Sequence, residues 1–432
     1  MKIDSIPGIE GLMRVVYEFP RIPALKEVII AVTNNGKDIE CEVSGPNAEQ
    51  IAPTIMAYFS SFNKIPPLVI HEGRNWYSLY WPPVPSEAHA RFVEGFWRTW
   101  FFGQPTPNVV TLAITERCQC RCFHCSANVG STLDPPQLTV EEVAKIIQES
   151  VELGVANVIF TGGEPLLHEN IIECIGTVPF DKAICQVFTN GIALDSKRAA
   201  SLKSAGVSSV KVSLDSPEPE GHDRLRGRKG TFSCVERAVK CALDAGLLVG
   251  LSTYAGNEFV TKEYLRRIAE VAAKWGVHEV TVFDAIATGR LMGSQGICLT
   301  PHNRQLLLEQ GREVNREYGV SPRVITQSWT NSDGKFAKYI GCLAGTSQFH
   351  VTATGEFTPC DFTPLTFGNT LMTPVQALWQ KLIAHPAYRE HCQACRMQSP
   401  AFREQYVDAI PIGATLPYPV EFLHSEEIAA LT

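Results

Sequence analysis

The sequence predicts an α/β protein centred on a partial (β/α)6 barrel, with a small α+β unit ahead of it and a cysteine-bearing region behind. Two observations predict this. Between about residues 108 and 283, six short β-branched runs alternate with helical stretches, the repeated β-α pattern that builds a parallel sheet with helices packed outside. The residues of chemical character fall at the ends of those runs, where such an architecture places its sites.

The expected units are 1–105, 106–325 and 326–432. In the first, strand-like runs at 28–33 and 40–43 flank Asn34-Asn35-Gly36-Lys37, a strong hairpin turn signal. A helix is expected over 48–62 and another strand over 76–81, before Pro82-Pro83. This unit reads first as a packing or dimerisation domain and second as a docking surface for substrate or partner. The six barrel strands are expected at 109–114, 156–161, 184–189, 207–214, 247–253 and 279–283, and helices at 140–153, 197–205, 234–245 and 262–275. A further helix follows at 303–318, then the cysteine-bearing region from about Ile340. Pro411, Pro417 and Pro419 predict an extended tail after Tyr406.

Composition narrows the function classes. A chain of 432 residues with 45% apolar and 19% charged residues has the make-up of a soluble globular protein of two or three domains. The net charge of −7 gives no footprint for a polyanion, so nucleic-acid binding is not implied. No uninterrupted apolar window of about 18 residues appears, so no membrane span is expected. The first ten residues lack the order of an export signal, which points to the cytoplasm. Fourteen cysteines in short clustered spacings point to metal binding in a reducing compartment rather than to disulfides.

Cys118, Cys122 and Cys125 follow the first strand in the spacing CxxxCxxC. Three thiolates can hold three irons of a 4Fe-4S cube and leave the fourth open; with Cys120 added, a zinc site is the alternative. Gly162-Gly163-Glu164-Pro165 ends the second strand. Its glycines permit close backbone approach, and its carboxylate is placed to pair with a cation. Thr189-Asn190-Gly191 ends the third strand and Ser213-Leu214-Asp215 the fourth, with Ser213 and Asp215 on one face by strand alternation.

The CxxxCxxC loop followed by GGEP resembles the radical S-adenosylmethionine (radical SAM) superfamily. The resemblance implies that a reduced cluster donates one electron to SAM at the open iron. A 5'-deoxyadenosyl radical then removes a hydrogen atom from the substrate. It also implies SAM contacts: Gly162, Gly163 and Glu164 at the methionyl ammonium, the backbone of His124 near adenine, and Thr189, Asn190, Ser213 and Asp215 around the rest, with Thr253 and Tyr254 as weaker adenine candidates. The run from His222 to Phe232 is similar to the HDxxRG...GTF stretch of members with extra C-terminal clusters, and it places Arg226 against the SAM carboxylate. A flavodoxin or ferredoxin is the implied electron donor.

Cys342, Gly355 and Cys360 form C-x12-G-x4-C, and Cys392-Gln-Ala-Cys395 follows. This resembles the SPASM/twitch extensions, in the shorter twitch-like form, and implies one auxiliary 4Fe-4S cluster saturated by Cys342, Cys360, Cys392 and Cys395. Tetrahedral zinc is the competing occupant. Of the remaining cysteines, Cys41, Cys174, Cys185, Cys234 and Cys241 read as small apolar residues, while Cys120 and Cys298 lie closer to the chemistry. The function expected is hydrogen abstraction from a small molecule or cofactor precursor, with the auxiliary cluster assisting electron transfer. Modification of a ribosomally made peptide is the second reading, and a non-catalytic iron-sulfur or zinc protein the third.

Overall fold

The computed structural model describes residues 3–5, 13–46, 48–127, 136–326 and 341–423. Most of the first ten residues, read above for an export signal, and the Ile340 boundary lie outside the described residues. The N-terminal region is a four-stranded antiparallel sheet of β1 (Ile3–Ser5), β2 (Met13–Tyr17), β3 (Ile29–Asn34) and β4 (Ile39–Ser44) in sequence order. The turn between β3 and β4 forms where Asn-Asn-Gly predicts it. The Asn35 side chain accepts from the amides of Lys37 (3.0 Å) and Asp38 (2.8 Å), and Gly36 takes φ +85°. Helix α1 (Ala48–Ser60) packs across β4, and the short pair β5 (Val69–His71) and β6 (Arg74–Trp76) follows.

The strand expected over 76–81 ends at Trp76, because residues 77–80 turn inward rather than pair. The sequence reading also passed over helix α2 (Glu87–Phe102), which is capped by Ser86 and carries Gly95 in its middle. That glycine is imposed from outside the helix: any side chain there would collide with Asn108.

Among the described residues the central sheet has nine strands in the order β13-β12-β11-β10-β9-β8-β7-β14-β15. Strands β7 (Val109–Ala113), β8 (Asn157–Thr161), β9 (Ile184–Thr189), β10 (Ser209–Ser213), β11 (Leu248–Ala255) and β12 (Glu279–Asp284) are the six expected parallel strands. Between them lie α3 (Val140–Leu153), α4 (Ile171–Gly176), α5 (Ser196–Ser204), α6 (Pro219–Arg226), α7 (Thr231–Asp244) and α8 (Tyr264–Lys274). Helix α3 begins with a reciprocal cap, the Thr139 hydroxyl accepting from Glu142 N and the Glu142 carboxylate from Thr139 N. After α9 (Pro301–Tyr318) the sheet gains β13 (Arg323–Thr326) beside β12. On its other edge, β14 (Gln348–Val351) lies parallel to β7 and antiparallel to β15 (Phe357–Thr358). Further on, helix α10 (Val375–Ala384) packs on α3. No described helix is long and apolar enough to cross a membrane.

Alternation divides the barrel strands cleanly. Val110, Leu112, Val158, Phe160, Val187, Val210, Val212, Val249, Leu251, Val280 and Val282 join the helices in one core. The intervening residues face the barrel interior, and at the amino ends of the strands that interior is plugged by 77–80. Lys211 and Glu279 are fully buried there. The Lys211 ammonium lies 2.8 Å from Glu279 Oε1 and 2.5 Å from Thr281 Oγ1, and 3.5 Å from the centre of the Tyr80 ring. The other carboxylate oxygen accepts from Ser78 Oγ (2.8 Å) and Leu79 N (3.1 Å). Asn157 donates to Tyr80 O (3.0 Å), Gln186 to Leu79 O, and Arg323 to Tyr77 O (2.8 Å). Removing one member of a buried pair strands the other charge, whereas removing both does not. Lys211→Met is therefore expected to lower stability by roughly 3–5 kcal/mol, and Lys211→Met with Glu279→Gln to recover most of that loss, as read by denaturant midpoints.

Candidate active site

The cysteine loop leaves β7 and runs over the carboxyl ends of the strands, where glycines let other segments press on its backbone. Gly162, at φ +129°, lies so close to Thr115 O that a Cβ would collide with it, and Gly163 is in the same position against Glu116 and Arg117. The contacts are hydrogen-bonded: Gly163 N donates to Thr115 O and Glu164 N to Arg117 O, both at 2.7 Å. A Cβ at Gly227 would lie 2.5 Å from Arg121 O, and one at Gly289 would meet the carbonyls of Cys125 and Ser126. Arg290 N donates to Cys125 O and its guanidinium to Cys122 O, both at 3.0 Å. Gly289 and Arg290 were not singled out from sequence, since an isolated Gly-Arg in a loop carries no signal.

Within the loop, the Cys120 thiol is buried near Cys118 and Cys122. Its influence lowers the Cys118 pKa despite burial, and with Arg226 nearby it brings Cys122 down to about 6. Cys125 is tied back through its amide to Cys122 O (3.3 Å). Among the described residues no three Cys, His, Asp or Glu side chains stand close enough together to hold a metal ion as they are. The donor chemistry fits an iron-sulfur cluster all the same: three thiols on one short loop, two of them inclined to the thiolate form that metals take.

Glu164 is 1% exposed. Its carboxylate accepts from Thr189 Oγ1 (2.7 Å), Asn190 N (2.7 Å) and Leu166 N (3.1 Å). Burial outweighs these bonds and raises its pKa to about 7. Asn190 also donates to Gln119 Oε1 (3.2 Å), tying the end of β9 to the cysteine loop. A carboxylate this buried gains from a cation, and the geometry fits an ammonium group. Ser213 sits inside the barrel, within 3.3 Å of Ser252 Oγ.

Asp215 is the hub of a second group. Its Oδ2 lies 2.7 Å from Arg226 Nε and 3.4 Å from His124 Nε2, and its amide donates to His222 Nδ1 (3.2 Å). Burial opposes ionisation, but the Arg226 charge and the histidines hold Asp215 below the usual carboxylate range. The His124 ring stacks on Tyr254, 4.3 Å between centres and 19° from parallel. Arg226 Nη1 reaches Cys122 Sγ at 3.6 Å. Arg226 is thus engaged by an aspartate and a cysteine sulfur.

The C-terminal cysteines are partly gathered. Cys342 N donates to Cys392 O (2.8 Å), and Cys360 Sγ lies 3.1 Å from Thr363 Oγ1. Burial, with Cys342 adding to it, pushes the Cys360 thiol up to about 12. Cys395 lines a cavity of about 240 Å³ together with Cys298, Arg304 and Gln398. Next to Cys360, Asp361 Oδ1 lies 2.9 Å from His350 Nδ1, which is also 2.9 Å from Thr111 Oγ1. Phe349 and Val351 join the helical core, so His350 faces the barrel interior. This pair went unread in the sequence, because a lone His and a lone Asp eleven positions apart form no motif.

Residues 112–272 match the Radical SAM superfamily, and the chain carries a radical SAM catalytic domain that binds S-adenosylmethionine. It is an enzyme of the radical SAM class. It is 26% identical over 314 residues to an AdoMet-dependent heme synthase of Nitratidesulfovibrio vulgaris, covering 66% of this chain and 82% of that protein. To a PqqA peptide cyclase of Streptomyces rochei it is 26% identical over 305 residues, covering 67% and 81%. Its fold resembles that of Streptococcus suis SuiB bound to the precursor peptide SuiA, with a TM-score of 0.55 and 12% identity over 82% of this chain and 87% of that one.

The raised pKa of Glu164 carries a sign. In the ligand-free protein, its contribution to stability is complete below the unfolded value near 4.5 and is lost as pH rises through about 7. The loss is on the order of 3 kcal/mol. Glu164→Gln is expected to flatten this part of the pH dependence and to raise the melting temperature at pH 8, as measured by calorimetry across pH 4 to 8.

Proposed function

We propose that this radical SAM enzyme carries out a net oxidation of a small-molecule or cofactor-precursor substrate, with a 4Fe-4S cluster on Cys118, Cys122 and Cys125 and an auxiliary 4Fe-4S cluster on Cys342, Cys360, Cys392 and Cys395. The observation that carries the oxidative reading is the His350–Asp361 pair, directed into the barrel from a position adjoining Cys360. When bound, the clusters and SAM supply hydrogen-atom abstraction and a one-electron acceptor. The chain's own residues supply the rest. Glu164 holds the methionyl ammonium, its rotamer fixed by Thr189 and Asn190. Gly162 and Gly163 keep that carboxylate beside the cysteine loop, and Asp215, Ser213 and the His124–Tyr254 stack line the adjoining surface. A substrate that has lost a hydrogen atom completes a two-electron oxidation by releasing one electron and one proton, and the His350–Asp361 pair takes the proton. A low-potential flavodoxin or ferredoxin is the proposed electron donor.

The relatives bear on the substrate in two directions. One is named as a heme synthase, which favours a cofactor precursor. A second reading, a peptide substrate, is favoured by the relative named as a PqqA peptide cyclase and by the likeness to SuiB in its peptide complex over 82% of this chain.

Anaerobic reconstitution is expected to load about eight irons per chain, and dithionite with SAM to yield 5'-deoxyadenosine. Replacing Cys118, Cys122 and Cys125 by Ala should leave about four irons and abolish that product. No 5'-deoxyadenosine from a fully loaded protein, or zinc at the loop, overturns the proposal. Asp361→Asn is expected to preserve 5'-deoxyadenosine release while slowing formation of the oxidised product by roughly 10²-fold or more, separated by quantifying the two products by mass spectrometry.

A further inference from the structure

We propose that Arg226 is a positioning residue that sets the reduction potential of the cluster held by Cys118, Cys122 and Cys125, through a hydrogen bond from its guanidinium to the Cys122 sulfur. This rests on the reading that an iron-sulfur cluster occupies the loop. Arg226 is the last residue of α6, and the helix ends there because Gly227 takes φ +63°. Its side chain is 12% exposed. Two backbone bonds zip this helix end to the cysteine loop: Arg121 N to Arg226 O (3.0 Å) and Phe123 N to Leu225 O (3.3 Å). Gly227 allows the approach, since a Cβ there would press on Arg121 O.

Asp215 then fixes the direction of the guanidinium. It takes Nε at 2.7 Å, and Nη1 is left 3.6 Å from Cys122 Sγ, within range of an N–H···S hydrogen bond. Asp215 is itself held, by His124 Nε2 on its carboxylate and by His222 on its amide. On the other side of the same cysteine, Arg290 binds the Cys122 carbonyl at 3.0 Å. The resemblance to relatives assigned Arg226 to a bound carboxylate. The geometry points its free end at a sulfur.

A hydrogen bond to a ligating sulfur withdraws electron density from it, and a buried cation beside the cluster favours the state with one more negative charge. Both effects raise the potential and so ease reduction by the donor. The test uses the anaerobically reconstituted full chain, with iron and sulfide counted and the midpoint potential read by EPR-monitored titration without SAM. SAM affinity is measured separately by equilibrium binding. Arg226→Gln, with full iron content, is expected to shift the midpoint to a more negative value. Arg226→Lys, which keeps the charge and loses the fixed fork, should shift it less in the same direction. An Arg226→Gln protein with full iron and an unmoved midpoint overturns the proposal, and it does so whether or not SAM affinity falls. If Arg226→Gln takes up too little iron, the decision passes to Arg226→Lys, where an unmoved midpoint again overturns it. A wild-type protein that takes up no cluster would instead remove the underlying reading.

Discussion

The site depends on a backbone fitted so tightly that side chains are forbidden around it. The segment from Thr115 to Ser126 is approached from three directions, by Gly162 and Gly163, by Gly227 and by Gly289, and in each case a β-carbon would press on a carbonyl of the loop. A cysteine loop of this length has many conformations of its own, and ordering it costs on the order of 1–2 kcal/mol per residue. The close packing, with its hydrogen bonds from Gly163, Glu164 and Arg290, offsets that cost and fixes where three sulfurs stand relative to a buried carboxylate. Chemistry that needs a cofactor held between the two depends on that spacing.

Two electrostatic groups then divide the top of the barrel. On one side Glu164, short of a counter-charge, has its ionisation opposed by burial. On the other, Asp215 is held ionised by Arg226 and the histidines around it. One acid lacks a counter-charge and the other has one, so the two carboxylates beyond the ends of β8 and β10, with β9 between those strands, sit in opposite electrostatic settings. The His350–Asp361 pair sits apart from both, on the side of the sheet reached through β14, where the C-terminal cysteines begin.

Much of this was legible in the sequence, for identifiable reasons. The six central strands are β-branched and bounded by turn residues, so their period stood out, and the Asn-Asn-Gly turn formed where its chemistry predicts. The strands at 323–326 and 348–351 were missed because each is four residues long and carries Arg323, or Gln348 and His350, on its inner face, which breaks the apolar signal. The segment 76–81 looked like a strand because its aromatic residues fit one. In the folded chain those residues satisfy a barrel floor instead, a choice made by partners such as Glu279, about 200 positions away. At the site, GGEP and CxxxCxxC declared themselves through fixed local spacing. Arg290, His350 and Asp361 did not, because only the fold brings them near the chemistry.

The salt link between Lys211 and Glu279 has a consequence for how this chain can change over time. Because both charges are sealed in and residues Ser78 to Tyr80 complete their surroundings, none of these positions can drift alone without exposing an unanswered charge to a dry interior. The leading unit and the barrel are therefore bound to vary together: a lineage could remodel the hairpin at Asn35 freely, yet could exchange the whole leading unit only by rewriting the base of the barrel in the same step.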